Sequence, residues 1–148
     1  MLRLYPKDPR YAKRLAQNAR WEELVGRLPD VLSGEAKPAS PAEACEFAAL
    51  CGRPAHRLYA SAVRLYGEAF AAEPKLADDL DDAHRYFAAS FAAAAGRGPE
   101  GEKLTAEERK SQRDRANDWL RDHLRAFRAK RERGSLDDRA TLTRQLQY

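Results

Sequence analysis

Residues 62–80 read AVRLYGEAFAAEPKLADDL. Ala62, Tyr66 and Ala69 fall at steps of four and three, Leu65 and Phe70 lie on the same side, and Pro74 closes the run. That spacing is the one-sided stripe of an amphipathic helix, and alanine at the close positions lets a neighbouring helix approach. Extended outward, the stripe begins at Leu58 and the helix is expected over residues 55–72. No alternating β-branched run occurs elsewhere, while Ala, Leu, Arg and Glu dominate, so the chain is expected to be all-α.

Helix boundaries follow from local signals. Asp8-Pro9 is an N-cap with proline at the first helical position, opening a helix to about residue 25 with Tyr11, Leu15, Trp21 and Leu24 on one face. Pro29 argues for a separate turn or a kinked extension that ends at Gly34. Ser40-Pro41 with Glu43 starts a helix over 41–51, stopped by Gly52-Arg53-Pro54. Asp78 or Asp79 is expected to cap a fourth helix reaching residue 95, with Tyr86, Phe87 and Phe91 on its apolar side. GRGPEGEKL, residues 96–104, reads as a mobile loop. Thr105 and Glu108 form a capping box, and the following helix runs to about residue 133, with Ala116, Trp119, Leu120, His123, Leu124 and Phe127 as its expected buried edge. Gly134-Ser135 is expected to break it before a last helix over 136–147. The expected organisation is one domain over 1–148: an N-terminal helix (8–34), a helix pair (41–76), an irregular second pair (78–133) interrupted by the 96–104 loop, and the C-terminal helix. Five or six helices on short connections make either a helix-pair α-solenoid or a right-handed bundle.

At 148 residues the chain buries roughly two thirds of the surface it exposes unfolded, so no metal or disulfide staple is required. Cys45 and Cys51 stand without a second pair or a nearby His, which excludes a zinc spacing and reads as two buried small hydrophobes. The start MLRLYPKDPRYAKRL lacks an apolar segment, and no stretch approaches membrane-spanning length, so no membrane association and a reducing, cytoplasmic setting are expected. The charge of +4 is unevenly spread: residues 1–27 carry seven basic and three acidic side chains, 28–96 six and ten, 97–148 fourteen and ten. In RKSQRDRANDWLRDH opposite charges recur three or four residues apart, the pattern of a solvated, salt-bridged helix face.

Chemistry-bearing constellations are absent from the sequence pattern. His56, His84 and His123 lie in different helices without ligand spacing, DDLDD lacks the glycine and terminal glutamate of a calcium loop, and GRGPEGEK has the wrong spacing for a phosphate-binding loop. Neither catalysis nor a cofactor is expected.

Ala62, Tyr66, Ala69 and Pro74 resemble the second half of a tetratricopeptide repeat, with Phe47, Leu50 and Cys51 in the preceding helix as its bulky, leucine and small positions. The interval from Cys51 to Ala62 is one residue shorter than the regular period. DDAHRYFAASFAAAAGRG opens a second, irregular repeat, whose small and large positions are Ala116 and Leu120. Over about residues 21–144 the chain resembles the tetratricopeptide-type tail of large bacterial signalling proteins, often attached to Ser/Thr protein kinases. The resemblance rests on LPDVLSGE (28–35), GEAFAAEPKL (67–76, with Gly67 replacing an alanine), HRYFAA (84–89) and WLR (119–121). The kinase motifs themselves are missing, and Phe87 stands where the family carries an asparagine that contacts peptide backbone. The resemblance implies a non-catalytic scaffold that binds another protein or domain, for which Tyr86, Arg121, Arg125 and Arg128 are the candidate contacts. A second class, nucleic-acid binding, follows from the basic excess of the C-terminal helix.

Overall fold

The computed structural model describes residues 8–145, and side chains through residue 136. Seven helices account for it: α1 (Pro9–Ser33), α2 (Pro41–Cys51), α3 (Tyr59–Ala72), α4 (Lys75–Asp78), α5 (His84–Ala95), α6 (Gly98–Glu102) and α7 (Ala106–Gln145), with no strand among the described residues. The all-α expectation therefore holds. α1 packs on α2, α2 on α3, α3 on α5, and α5 on α7. Ala44 near the start of α2 and Ala69 and Ala72 at the end of α3 line one crevice, so these two helices run side by side in opposite directions.

Three starts obey their local signals. The Asp8 carboxylate accepts from the Arg10 N–H at 2.9 Å, the Ser40 hydroxyl accepts from the Glu43 N–H at 3.1 Å, and Thr105 and Glu108 each accept the other's backbone N–H, at 2.7 and 3.1 Å. These bonds occupy N–H groups that the first helical turn leaves without partners.

Elsewhere the structure departs from expectation. α1 continues through Pro29 to Ser33 and ends at Gly34, whose φ of 84° is the left-handed C-cap. Leu28 and Val31 are buried on either side of the proline and hold the last turn down, while Val25, whose carbonyl loses its donor, faces water. Leu15, expected on the buried face, is half-exposed because the first half of α1 extends past its neighbour. α3 begins at Tyr59 rather than residue 55: Arg57 adopts φ 52°, a left-handed conformation that no helix continues through, and the Leu58 N–H closes the turn on the Cys51 carbonyl at 2.8 Å. That turn contains the shortened interval between Cys51 and Ala62. α5 begins at His84, not at Asp78 or Asp79. Pro74 starts the short α4, the Asp79 carboxylate takes the N–H groups of Asp81 and Asp82 in a local turn, and Ala83 is left-handed at φ 52°.

Residues 96–104 are not an open loop. They contain α6, whose Gly101 is buried so tightly that a Cβ there would lie 2.8 Å from the Gly96 carbonyl oxygen. Gly134 does not break α7, which runs unbroken to Gln145; an isolated interior glycine costs only about 1 kcal/mol relative to alanine, and the good helix formers of residues 129–133 precede it. The separate C-terminal helix is thus part of α7, and residues 146–147 of it lie outside the described residues.

The core forms around α2 and α3. Phe47, Leu50, Cys51, Ala62, Leu65, Tyr66 and Ala69 are buried together with Leu24, Leu28 and Val31 of α1. Ala88, Ala89, Ala92 and Ala95 are the buried residues of α5, small enough for α3 and α7 to close on both its sides. Phe91 fills the remaining space, its ring 5.9 Å from Tyr59 and 6.2 Å from Tyr66, and Trp119 of α7 meets Phe70 edge-on at 5.7 Å.

Candidate interaction surface

The expected packing residues divide cleanly by burial. Phe47, Leu50, Cys51, Ala62, Tyr66 and Ala69 are in the core, Ala116 is buried with Val63 and Ala92, and Pro74 caps α4. Leu120 is different. Expected as the large partner of Ala116, it is 39 % exposed, and with it Leu124 (46 %) and Phe127 (55 %) face solvent instead of forming a buried edge. On the adjoining side of α5, Tyr86 (48 %) and Phe87 (45 %) are also open; their rings meet at 5.8 Å, and Tyr86 lies 5.8 Å from the His123 ring. Phe87 also lies 6.3 Å from the Phe91 ring, tilted to it by 31°.

Angle and position together explain the split on α7. At about 100° per residue Leu120 and Leu124 form a shoulder beside the seam that Ala116, Trp119 and His123 make against α5, while Phe127, about 20° from Ala116, lies on the seam's own side but one turn beyond His123. Burial lowers the pKa of His123, with Arg85 adding to the shift, so its imidazole is held neutral at the seam, with Nδ1 lacking a protein partner.

Arg121, Arg125 and Arg128 continue from this shoulder and, with Leu124, Ala129 and Glu132, line a shallow crevice of about 520 Å³. Arg121 lies 3.6 Å from Asp118 and Arg125 lies 3.3 Å from Asp122, both partners one turn back on the same helix and, apart from the half-buried Asp122, strongly exposed. Among the described residues no ion pair is made by Arg128. The face combines open apolar side chains with guanidiniums that are only loosely engaged, which suits a protein surface bearing both apolar and acidic groups.

Two features escaped sequence reading. Glu43, seen there only as a helix-start residue, is a buried carboxylate that joins α1 to α2: Oε1 accepts from Arg20 at 2.9 Å and Arg27 at 2.8 Å, and Oε2 from Arg27 at 3.1 Å and from the Ala39 N–H. These bonds, the Arg27 pair foremost, hold its pKa at about 2 despite burial, which acts in the opposite direction. Its partners lie 16 and 23 residues away, so no local spacing announces them. The second is a crevice beside the α2–α3 turn, taken up below.

The cysteines are free and buried, with burial pushing the Cys45 thiol up to about 12 and that of Cys51 to about 11, so neither is a nucleophile at neutral pH. Among the described residues no three His, Cys, Asp or Glu side chains converge, and no helix is long and apolar enough to cross a membrane. No family model, curated protein or solved structure matches the chain.

Proposed function

We propose that this chain is a non-catalytic scaffold module of tetratricopeptide type, an open array of helix pairs that binds another protein or domain through the α5–α7 face. The observation that carries the reading is the exposure of Leu120, Leu124, Phe127, Tyr86 and Phe87 on adjoining helices, next to Arg121, Arg125 and Arg128. Five large apolar side chains grouped in this way exceed the scattered single exposures normal on a monomer. The succession of contacts from α1 through α2, α3 and α5 to α7, each helix meeting its neighbours, supports an array. Free thiols at Cys45 and Cys51 support a reducing, cytoplasmic setting, and the residues 28–35, 67–76, 84–89 and 119–121 support kinship with the tails of bacterial signalling proteins.

Immobilised chain tests this directly. Crosslinking and capture from native lysate should retain a protein in stoichiometric amount on the wild type and lose it on a folded Leu124→Glu/Phe127→Glu variant; equal retention on both, or none on either, refutes the reading. Nucleic-acid binding is the alternative, favoured by the arginines of α7 but weakened by Asp118 and Asp122, which partly neutralise them. It requires retention of duplex DNA or RNA that falls steeply with salt.

A further inference from the structure

A crevice of about 710 Å³ lies between the α2–α3 turn and the corner where α5 meets α6, beginning at Ser90, one turn along α5 from Tyr86. We infer that it binds a small organic monoanion with an apolar body. Its size falls within the range of about 300–1,000 Å³ usual for small-molecule sites. Ala93 and Ala94 of α5 leave the space open, Pro54 and Pro99 add apolar lining, and the Tyr59 ring, braced by Phe91 at 5.9 Å, supplies an aromatic wall.

The charged groups decide the ligand class. Arg57 and Arg97 both border the space. The Arg57 Nε donates to the Pro54 carbonyl at 3.2 Å, which aims the side chain, and among the described residues its terminal nitrogens and those of Arg97 make no ion pair or side-chain hydrogen bond. Glu100, the carboxylate of the crevice, is committed elsewhere: it accepts the Ala60 N–H at 3.0 Å and so fixes the start of α3. Two guanidiniums against one engaged carboxylate leave a net charge of one for the ligand to balance, and a guanidinium meets a carboxylate or sulfonate with two parallel bonds.

The backbone makes the arginine easy to test. Arg57 holds φ 52°, where a side-chain-bearing residue costs roughly 1–2 kcal/mol relative to the right-handed conformation and glycine costs little, so glycine there removes the guanidinium and keeps the turn.

The test uses 1-naphthoate as probe and 1-naphthamide as its neutral counterpart, followed by amide chemical shifts of the full chain. Shifts should cluster at residues 53–60 and 90–101, and naphthamide should bind about tenfold more weakly or worse. Arg57→Gly, which keeps the left-handed turn, and Arg97→Ala should each weaken naphthoate by a similar factor while the spectrum outside the crevice stays unchanged. Ala94→Leu should block the space. The inference is overturned by shifts scattered over the surface, by equal binding of the neutral compound, by arginine variants that bind like wild type, or by no shift at millimolar naphthoate.

Discussion

Replacing Glu43 by glutamine keeps its shape and removes its charge. The four donors around it are shared two to each oxygen, Arg20 and Arg27 on Oε1 and Arg27 and the Ala39 N–H on Oε2. Whichever oxygen becomes the amide nitrogen, two donors then face a donor. A carboxyl held at about 2 against an ordinary 4.5 corresponds to about 3 kcal/mol, at about 1.4 kcal/mol per pH unit. Both guanidiniums are about one third exposed and recover part of that from water, so about 2 kcal/mol is expected at pH 7. For a chain of this length that lowers Tm by roughly 4–8 °C. Because the folded pKa is depressed, the contribution is complete above pH 4.5 and is lost as the pH falls toward 2, with roughly 40 % of it left at pH 3. Urea unfolding of wild type and Glu43→Gln, followed by far-ultraviolet circular dichroism between pH 7 and 3, measures this, since all other carboxylates titrate in both chains and cancel. A gap between the two proteins that stays constant across the range, or one below about 0.5 kcal/mol at pH 7, would refute the assignment of Glu43 as an ionised tie between α1 and α2.

Three further outcomes follow from the core and turns. Tyr66 is fully buried and its hydroxyl has no hydrogen-bond partner, so Tyr66→Phe should leave stability unchanged or raise it by about 1 kcal/mol in the same unfolding assay; a loss above 1 kcal/mol would reveal a hidden partner. A Cβ on Gly52 would sit 2.1 Å from the Phe91 ring, which Tyr59, Tyr66 and Phe87 hold in place, so Gly52→Ala should cost about 1–3 kcal/mol, and Phe91→Leu in the same chain should recover part of it. Ala83, at φ 52° and without a side-chain cap to offer α5, should gain about 1 kcal/mol as Ala83→Gly, measured as a rise in Tm; a fall would mean that this turn is not left-handed in solution.

What the sequence made legible is what residues within four positions of each other decide. Ser40 with Glu43, Thr105 with Glu108 and Asp8 with Pro9 carry their hydrogen bonds or preset φ locally, and those helix starts were read correctly. The alanine and aromatic stripe of α3 was legible for the same reason, its period being internal. Local chemistry also misled at Asp79, whose carboxylate closes a turn with Asp81 and Asp82 instead of capping α5, but other misread features depend on a neighbour. Three glycines in residues 96–104 signal flexibility when nothing surrounds them, yet Gly101 is small because Gly96 lies against it. α7 shows why its apolar edge was misjudged. α5 has 12 residues and α7 has 40, which at about 1.5 Å per residue are roughly 18 and 60 Å, so α5 covers less than a third of its partner's length. Leu120, Leu124 and Phe127 keep a helical period that in a sequence is identical whether another helix covers it or not. Periodicity reports that a face is apolar; only the length and position of the neighbouring helix report whether the fold has already used it. A partner too short and too narrow leaves part of the α7 face open, and the residues expected in the core but found there, Leu120, Leu124 and Phe127, are among those of the proposed contact.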